Sequence, residues 1–218
     1  MRPPPLDYDP PVAPWLQVLR ADADLLILSK PAGLLTVPGR DPRLADCLEA
    51  RAQAIWPAAR VAHRLDLATS GLVLTPLNPR SLRLLGGQFE RRRVNKLYLA
   101  ETLRPPPARS GRLSAPLACD WPNRPLQRVD PAGRPSITVW RTLGRGPIGW
   151  RVALRPLTGR SPQLRVHLAA LGAPILGDRL YGGEAAEAAP RLRLHAARIG
   201  FRHPADGRRV VVADPCPF

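Results

Sequence analysis

Short apolar runs broken by turn residues dominate the start of the chain. The stretch LQVLRADADLLILSKPAGLLTVPG, residues 16–39, reads as short strands, with Pro31, Gly33, Pro38 and Gly39 as punctuation. Residues 43–57 have a helical pattern, because Leu44, Leu48 and Ala52 recur at helical spacing and Pro57 stops the run. LVLT, 72–75, is a compact buried-strand run, and SLRLLGGQFERRR, 81–93, predicts a helix ending on three arginines. KLYLAETL, 96–103, alternates as a strand does, whereas 104–135 is loop-rich. SITVWRTL and WRVALRPL, 136–143 and 150–157, resemble the two arms of a hairpin. The best-marked helix follows, with Ser161 as N-cap, Pro162 in the first helical position and Gly172 at the close. Its apolar stripe is Leu164, Leu168 and Leu171. LHAARIGF and RRVVVA, 194–201 and 208–213, are the last strand candidates. Hairpins outnumber βαβ alternations and no internal repeat is visible, so the predicted class is α+β, with a mixed, mainly antiparallel sheet.

Length and composition narrow the class. At 218 residues the chain is one domain of ordinary size and needs neither a disulfide nor a metal staple to bury a core. Residues 1–14 carry six prolines and read as an extended tail, leaving 15–218 as a single domain. Gly and Pro, 17 and 28 residues, stay below the roughly 25–30% that marks a disordered chain. Cys47, Cys119 and Cys216 are scattered without a CxxC, which suits a reducing compartment and offers no metal quartet. Without an apolar h-region or a long apolar stretch, a soluble cytoplasmic protein with no membrane partner is expected.

Charge changes the picture most. The balance of 33 Lys+Arg against 17 Asp+Glu leaves +16, and only Lys30 and Lys96 are lysines. An arginine excess of this size disfavours an enzyme of small neutral metabolites and points to a polyanion.

Two stretches concentrate the chemistry. HRLDLATSGLVL, 63–74, sets Asp66 beside His63 and Arg64 at a turn that feeds an apolar strand. Taken alone, Asp66 is equally at home as a turn cap or the partner of an arginine. TGRSPQLRVHLAALGAPILGDRLYGG, 158–183, places Arg160, Gln163 and Arg165 at a helix start, where backbone N–H groups also favour anions. Its plain alternative is an amphipathic helix with solvated arginines. His63, His167, His195 and His203 lack metal spacing and read as structural or as facing the polyanion. Lys30 reads as structural, and the five tryptophans as packing residues.

Together these stretches resemble the RluA family of pseudouridine synthases. SKPAGLLTVPG (29–39), HRLDLATSG (63–71), NKLYLAE (95–101), GRSPQLRVHLAALGAPILGDRLYG (159–182) and LHAARIGFRHP (194–204) occur in the family's order and span nearly the whole chain from residue 15. CDWPNRP (119–125) and the short N-terminus look most like the enzyme that gives the family its name. Larger relatives carry an S4 domain upstream, which fourteen residues cannot supply. The resemblance implies the pseudouridine synthase fold, a mixed sheet with flanking helices and loops around a central cleft. It implies isomerisation of uridine in structured RNA, in 23S rRNA and at uridine 32 of the tRNA anticodon stem-loop, by a monomer without cofactor or metal. By the same likeness Asp66 matches the catalytic aspartate, Tyr98 the tyrosine against the target base, and Arg165 the arginine that pairs with that aspartate. Arg64 matches the residue that fills the gap left by the flipped base, and Leu164 an apolar contact to the uracil. Arg160 and Gln163 fall among the RNA-facing residues.

The chemistry suits those roles. The N-glycosidic bond must break and the base rejoin through C5, and an ionised carboxylate can attack C1′ or remove the C2′ proton; the sequence leaves both routes open. A phenol against the uracil stacks and can assist loss of the C5 proton. An arginine in the vacated stack offsets the cost of extrusion, and the +16 charge grips phosphates. One departure stands out, since the family commonly has His where this chain has Pro162. The competing function is a non-catalytic RNA-binding or ribosome-assembly protein that kept the fold. Retention of Asp66, Tyr98 and Arg165 favours the enzyme, because binding alone needs no such carboxylate.

Overall fold

The protein is described by a computed structural model over residues 8–218; the first seven residues of the proline-rich stretch lie outside the described residues. The strands are β1 Gln17–Ala21, β2 Leu25–Lys30, β3 Ser70–Pro76, β4 Asn95–Thr102, β5 Ser110–Ser114, β6 Leu117–Cys119, β7 Gln127–Val129, β8 Ile137–Arg145, β9 Trp150–Pro156, β10 Leu194–Arg202 and β11 Arg209–Ala213. The α-helices are α1 Leu48–Gln53, α2 Pro79–Glu90 and α3 Gln163–Ala170. The architecture is α+β, as the pattern predicts. Two compact units divide the chain: the described residues up to Lys96 with Ala196–Cys216, and Leu97–His195 with Pro217–Phe218.

In the first unit the strand order is β1-β2-β3-β10, with β11 beside β10. The register places Ile27 opposite Leu74 and Ser29 opposite Leu72, antiparallel. β2 and β3 are buried along their whole length, which is why LLILS and LVLT are continuous apolar runs rather than alternating ones. Leu25, Ile27, Leu72, Leu74, Leu85, Ile199 and Phe201 form the core. Gly71, at φ +114, allows the backbone of Ala196 to come so close that a Cβ here would stand 2.5 Å from its carbonyl oxygen.

Local caps decide the helix boundaries. α2 begins before the predicted position because Asn78 Oδ1 accepts the Ser81 N–H at 2.8 Å and Pro79 fits the first turn. The single helix expected over 43–57 divides. Asp41 Oδ1 accepts the Arg43 N–H (3.0 Å) and caps a 3-10 turn over Pro42–Leu44, whereas α1 starts separately at Leu48 after Cys47. From Tyr8 onward the proline-rich segment is not an extended tail. The Tyr8 hydroxyl donates to the Asp46 carbonyl at 2.6 Å, and Arg51 Nη1 donates to the carbonyls of Pro11 and Trp15 at 2.9 and 2.8 Å.

In the second unit the order is β4-β9-β8-β5, antiparallel throughout, with the predicted β8–β9 hairpin in place. The loop-rich 104–135 holds β5 and the small β6–β7 pair. These strands are three to five residues long and exposed on alternate positions at best, too short to announce themselves by periodicity. α3 starts one residue later than predicted. The Pro162 carbonyl takes the first helical bond, from the Arg165 N–H at 3.1 Å, so Pro162 is the N-cap and Ser161 stands outside the helix. Gly172, at φ +71, closes the C-terminal end as expected. Among the tryptophans, Trp140 packs in the interior, but Trp15 and Trp121 are exposed, at variance with the packing role expected for all five. No helix among the described residues is long and apolar enough to cross a membrane.

Candidate active site

Asp66 stands in an irregular segment between two residues whose backbones are clamped. On its N-terminal side, Thr36 Oγ1 donates to the Leu65 carbonyl at 2.8 Å and accepts the Leu65 N–H at 3.2 Å. On its C-terminal side, the Leu67 carbonyl accepts from Lys30 Nζ (3.1 Å) and from the Gly33 N–H (2.9 Å). The Asp66 carbonyl in turn accepts the Thr69 N–H at 3.1 Å. Lys30 is fully buried at the end of β2, and its ammonium also donates to the carbonyls of Pro31 and Leu34, at 2.8 and 2.6 Å. Three carbonyls around one buried ammonium make Lys30 a structural clamp, as its sequence position suggests. A chain without helix or sheet bonds thus gains a fixed course from side chains that replace them.

His63 fastens the start of the same segment. Its Nε2 accepts the Leu74 N–H at 3.1 Å, and its ring lies 4.6 Å from that of Phe89 on α2. Burial, with Lys96 adding to it, pushes the imidazole down to about 3, so it is neutral and an acceptor at Nε2. Arg64, next along, is exposed, and Asp66 is half-buried.

Tyr98 and α3 belong to the second unit. Tyr98, half-buried on β4, is the register partner of Leu154 on β9. Arg165 is buried on α3 and makes a bidentate pair with Asp178, Nε to Oδ2 at 2.9 Å and Nη2 to Oδ1 at 2.5 Å. Asp178 Oδ1 also accepts the N–H groups of Leu180 and Tyr181 (3.0 and 3.1 Å), and the Tyr181 ring lies 5.1 Å from the Arg165 guanidinium carbon. This fork fixes the guanidinium plane. Asp178 and Tyr181 escaped the sequence reading, although both stand in GDRLYG, 177–182; nothing in their spacing from Arg165 singles them out.

Gln163 is placed differently from the expectation that it faces RNA. It is buried, and its Oε1 accepts the Thr158 hydroxyl (2.7 Å) and the Arg160 N–H (3.2 Å). Its Nε2 donates to the Ile137 carbonyl (2.9 Å) and Thr138 Oγ1 (3.0 Å). With the amide engaged on both sides, Gln163 shapes the 158–163 turn and thereby positions Arg160, which is half-buried. Leu164 is buried beside it. His167 is structural: Nε2 faces the Ala115 carbonyl at 3.0 Å and must donate, leaving Nδ1 to accept from the Thr138 hydroxyl at 2.8 Å. The helix is therefore buried on nearly every side rather than amphipathic.

Comparison with known proteins bears out the resemblance drawn from the motifs. Residues 24–170 match the family model of RNA pseudouridylate synthases. The chain belongs to that family and is an RNA-modifying isomerase. It is 43% identical over 215 residues, 97% of this chain and 98% of the relative, to the dual-specificity RNA pseudouridine synthase RluA of Escherichia coli strain K12. It is 42% identical to the protein of the same name from Vibrio vulnificus strain CMCP6, over 98% of this chain and 88% of that one. Its fold is similar to that of the human RNA pseudouridylate synthase domain containing 1 structure, with a TM-score of 0.77 and 29% identity, covering 93% of this chain and 84% of that one.

Proposed function

We propose that this isomerase acts on two classes of structured RNA, 23S rRNA and the tRNA anticodon stem-loop, with Asp66 as its catalytic carboxylate. The observation that carries the assignment is the clamp on either side of Asp66. An irregular segment held at Leu65 by Thr36 and at Leu67 by buried Lys30 has the rigidity needed to present one carboxylate to a ribose. The dual target rests on the similarity to enzymes named for it, which extends over 97% of the chain.

In the nucleophilic route Asp66 attacks C1′ and displaces N1 of the uracil. The base rotates, C5 bonds to C1′, the carboxylate departs, C5 loses its proton and N1 gains one. In the alternative route Asp66 removes the C2′ proton as N1 departs, giving a glycal; C5 then bonds to C1′, the proton returns to C2′, C5 loses its proton and N1 gains one. No cofactor enters either balance. Tyr98 stacks on the uracil, Arg165 supports the carboxylate's charge, and Leu164 gives apolar contact to the base. Exposed Arg64 fills the stack vacated by the flipped nucleotide, and Arg160 meets a phosphate. The enzyme works as a monomer in the cytoplasm.

Tritium release from C5-labelled uridine RNA, measured with Asp66→Asn, tests the assignment. The amide is nearly isosteric but neither nucleophile nor base, so release is lost while RNA affinity persists. Wild-type release by the variant overturns it. Pseudouridine maps of tRNA and 23S rRNA, with and without the protein, test the dual target; failure of either RNA to change removes it from the substrate class.

A further inference from the structure

A second feature of the first unit shares no residue with the Asp66 segment and draws four of its lining side chains from arginine. Arg92, Arg93, Arg202 and Arg209, with Asn95 and Phe201, line a cavity of about 570 Å³. That volume is within the ~300–1,000 Å³ usual for ligand sites. No carboxylate lines it, and among the described residues no ion pair engages any of the four arginines. Asp206, close in sequence, is committed to Arg208, its Oδ2 at 3.2 Å from Nε and its Oδ1 accepting the Arg208 N–H. Arg202 Nη1 donates to the Gly207 carbonyl at 3.0 Å, which orients the guanidinium without neutralising it.

Two placements work against the fold's own stability. Arg202 and Arg209 are register partners on β10 and β11, so like charges stand directly opposite each other. Arg92 sits at φ +56, where a helix ordinarily ends on Gly or Asn. Its turn follows the C-terminus of α2, with the Arg92 N–H donating to the Phe89 carbonyl and the Arg93 N–H to the Gln88 carbonyl. The geometry is nevertheless held firmly. The Gln88 side chain grips the Arg202 backbone, its Nε2 donating to the carbonyl and its Oε1 accepting the N–H, each at 2.8 Å. A rigid, uncompensated cluster of cations is an arrangement that an anion relieves.

We infer that this basin binds the phosphodiester backbone of the RNA substrate, at nucleotides other than the uridine that reacts. The inference rests on the reading of the chain as an RNA isomerase and extends it to a second contact. Several guanidiniums at the mouth of one open basin suit consecutive phosphates of a strand. The basin is also tied to the segment that carries Asp66. α2, which runs to Glu90 and leads directly into Arg91–Arg93, carries the Phe89 ring that packs on His63 three residues before Asp66. RNA held here is therefore held in fixed relation to that segment.

The experiment measures equilibrium binding of a tRNA anticodon stem-loop to the full chain by fluorescence anisotropy across a salt series. Wild type is compared with the double variants Arg93→Gln/Arg209→Gln and Arg93→Lys/Arg209→Lys. Losing two phosphate contacts should make the slope of log K against log salt shallower by about 1.4–1.8, and the lysine pair should restore most of it. An unchanged slope and affinity in the glutamine pair overturns the inference. A titration with inorganic diphosphate separates a small free anion from RNA. Diphosphate binding lost in the glutamine pair, with the RNA slope unchanged, also overturns it. Binding needs no chemistry, so failure of the tritium-release assay would remove the assignment of Asp66 and leave this slope to be judged separately.

Discussion

The segment 63–71 and the segment 158–168 are held in place by opposite devices. The first has no regular structure until Ser70, and the tertiary contacts that hold it reach its backbone: Thr36 at Leu65, Lys30 and the Gly33 N–H at Leu67. The second is a turn and helix whose backbone bonds are largely internal, and its tertiary contacts reach side chains: Gln163 to Thr138, Arg165 to Asp178, His167 to Ala115. A helix satisfies its own N–H and C=O groups, so its buried polar side chains are free to orient one another. A loop cannot, so buried side chains elsewhere must serve it. Damage to the helix should therefore appear first as lost stability, and damage to the loop as lost catalysis.

The largest effect should come from the helix. Asp178→Asn keeps the acceptor for Leu180 and Tyr181 but removes the charge facing buried Arg165. Urea unfolding should show a loss of about 3–5 kcal/mol, with partial recovery in the double variant Asp178→Asn/Arg165→Met. Additive effects in that cycle would show that the pair is not coupled.

Lys30→Met should come next, at about 3 kcal/mol. It leaves the carbonyls of Pro31, Leu34 and Leu67 without their buried donor, at about 1–3 kcal/mol for each that stays dry. Retention of wild-type thermal stability would contradict the clamp.

Thr36→Val sharpens the comparison, because it keeps shape and removes only the two bonds to Leu65. The expected stability loss is about 1–3 kcal/mol. Single-turnover kcat should fall while KM holds, and Thr36→Ser should restore kcat. A loss confined to stability, with kcat intact, would make Thr36 a fold residue alone.

The effect that is smallest at neutral pH is one of titration. His63 is held near 3 in the fold, against about 6.5 in an unfolded chain. Between those values the unfolded chain binds a proton that the folded one refuses, so stability falls as pH drops below about 6.5. The full slope for one such group is about 1.4 kcal/mol per pH unit. His63→Gln should flatten the acid limb of a stability-against-pH curve. Some slope should remain, since burial also pushes the His167 imidazole down and acts with the same sign.

Much of this was legible in the chain before folding. The apolar runs of β2 and β3, the β8–β9 hairpin and the strands β10 and β11 follow from hydrophobic period and turn residues alone, because burial on one or both faces writes itself into residue order. Asp66, Tyr98 and Arg165 were visible as motif positions, and Lys30 as a structural lysine. What periodicity could not reach was decided by partners distant in sequence. Asp178 belongs to Arg165 only because the chain brings 13 residues of separation back to a bidentate fork. Gln163 turns inward because Ile137 and Thr138 offer its amide an acceptor each. Asn78, Cys47 and Pro162 set helix starts that propensity misplaces by a few residues, since a cap is a geometric event rather than a compositional one. The opposition of Arg202 and Arg209 likewise exists only in the register of two strands. Residue order determines which groups a segment must bury; only the tertiary structure decides which distant group satisfies each of them, because an unpaired buried polar atom costs more than the local preferences that sequence records.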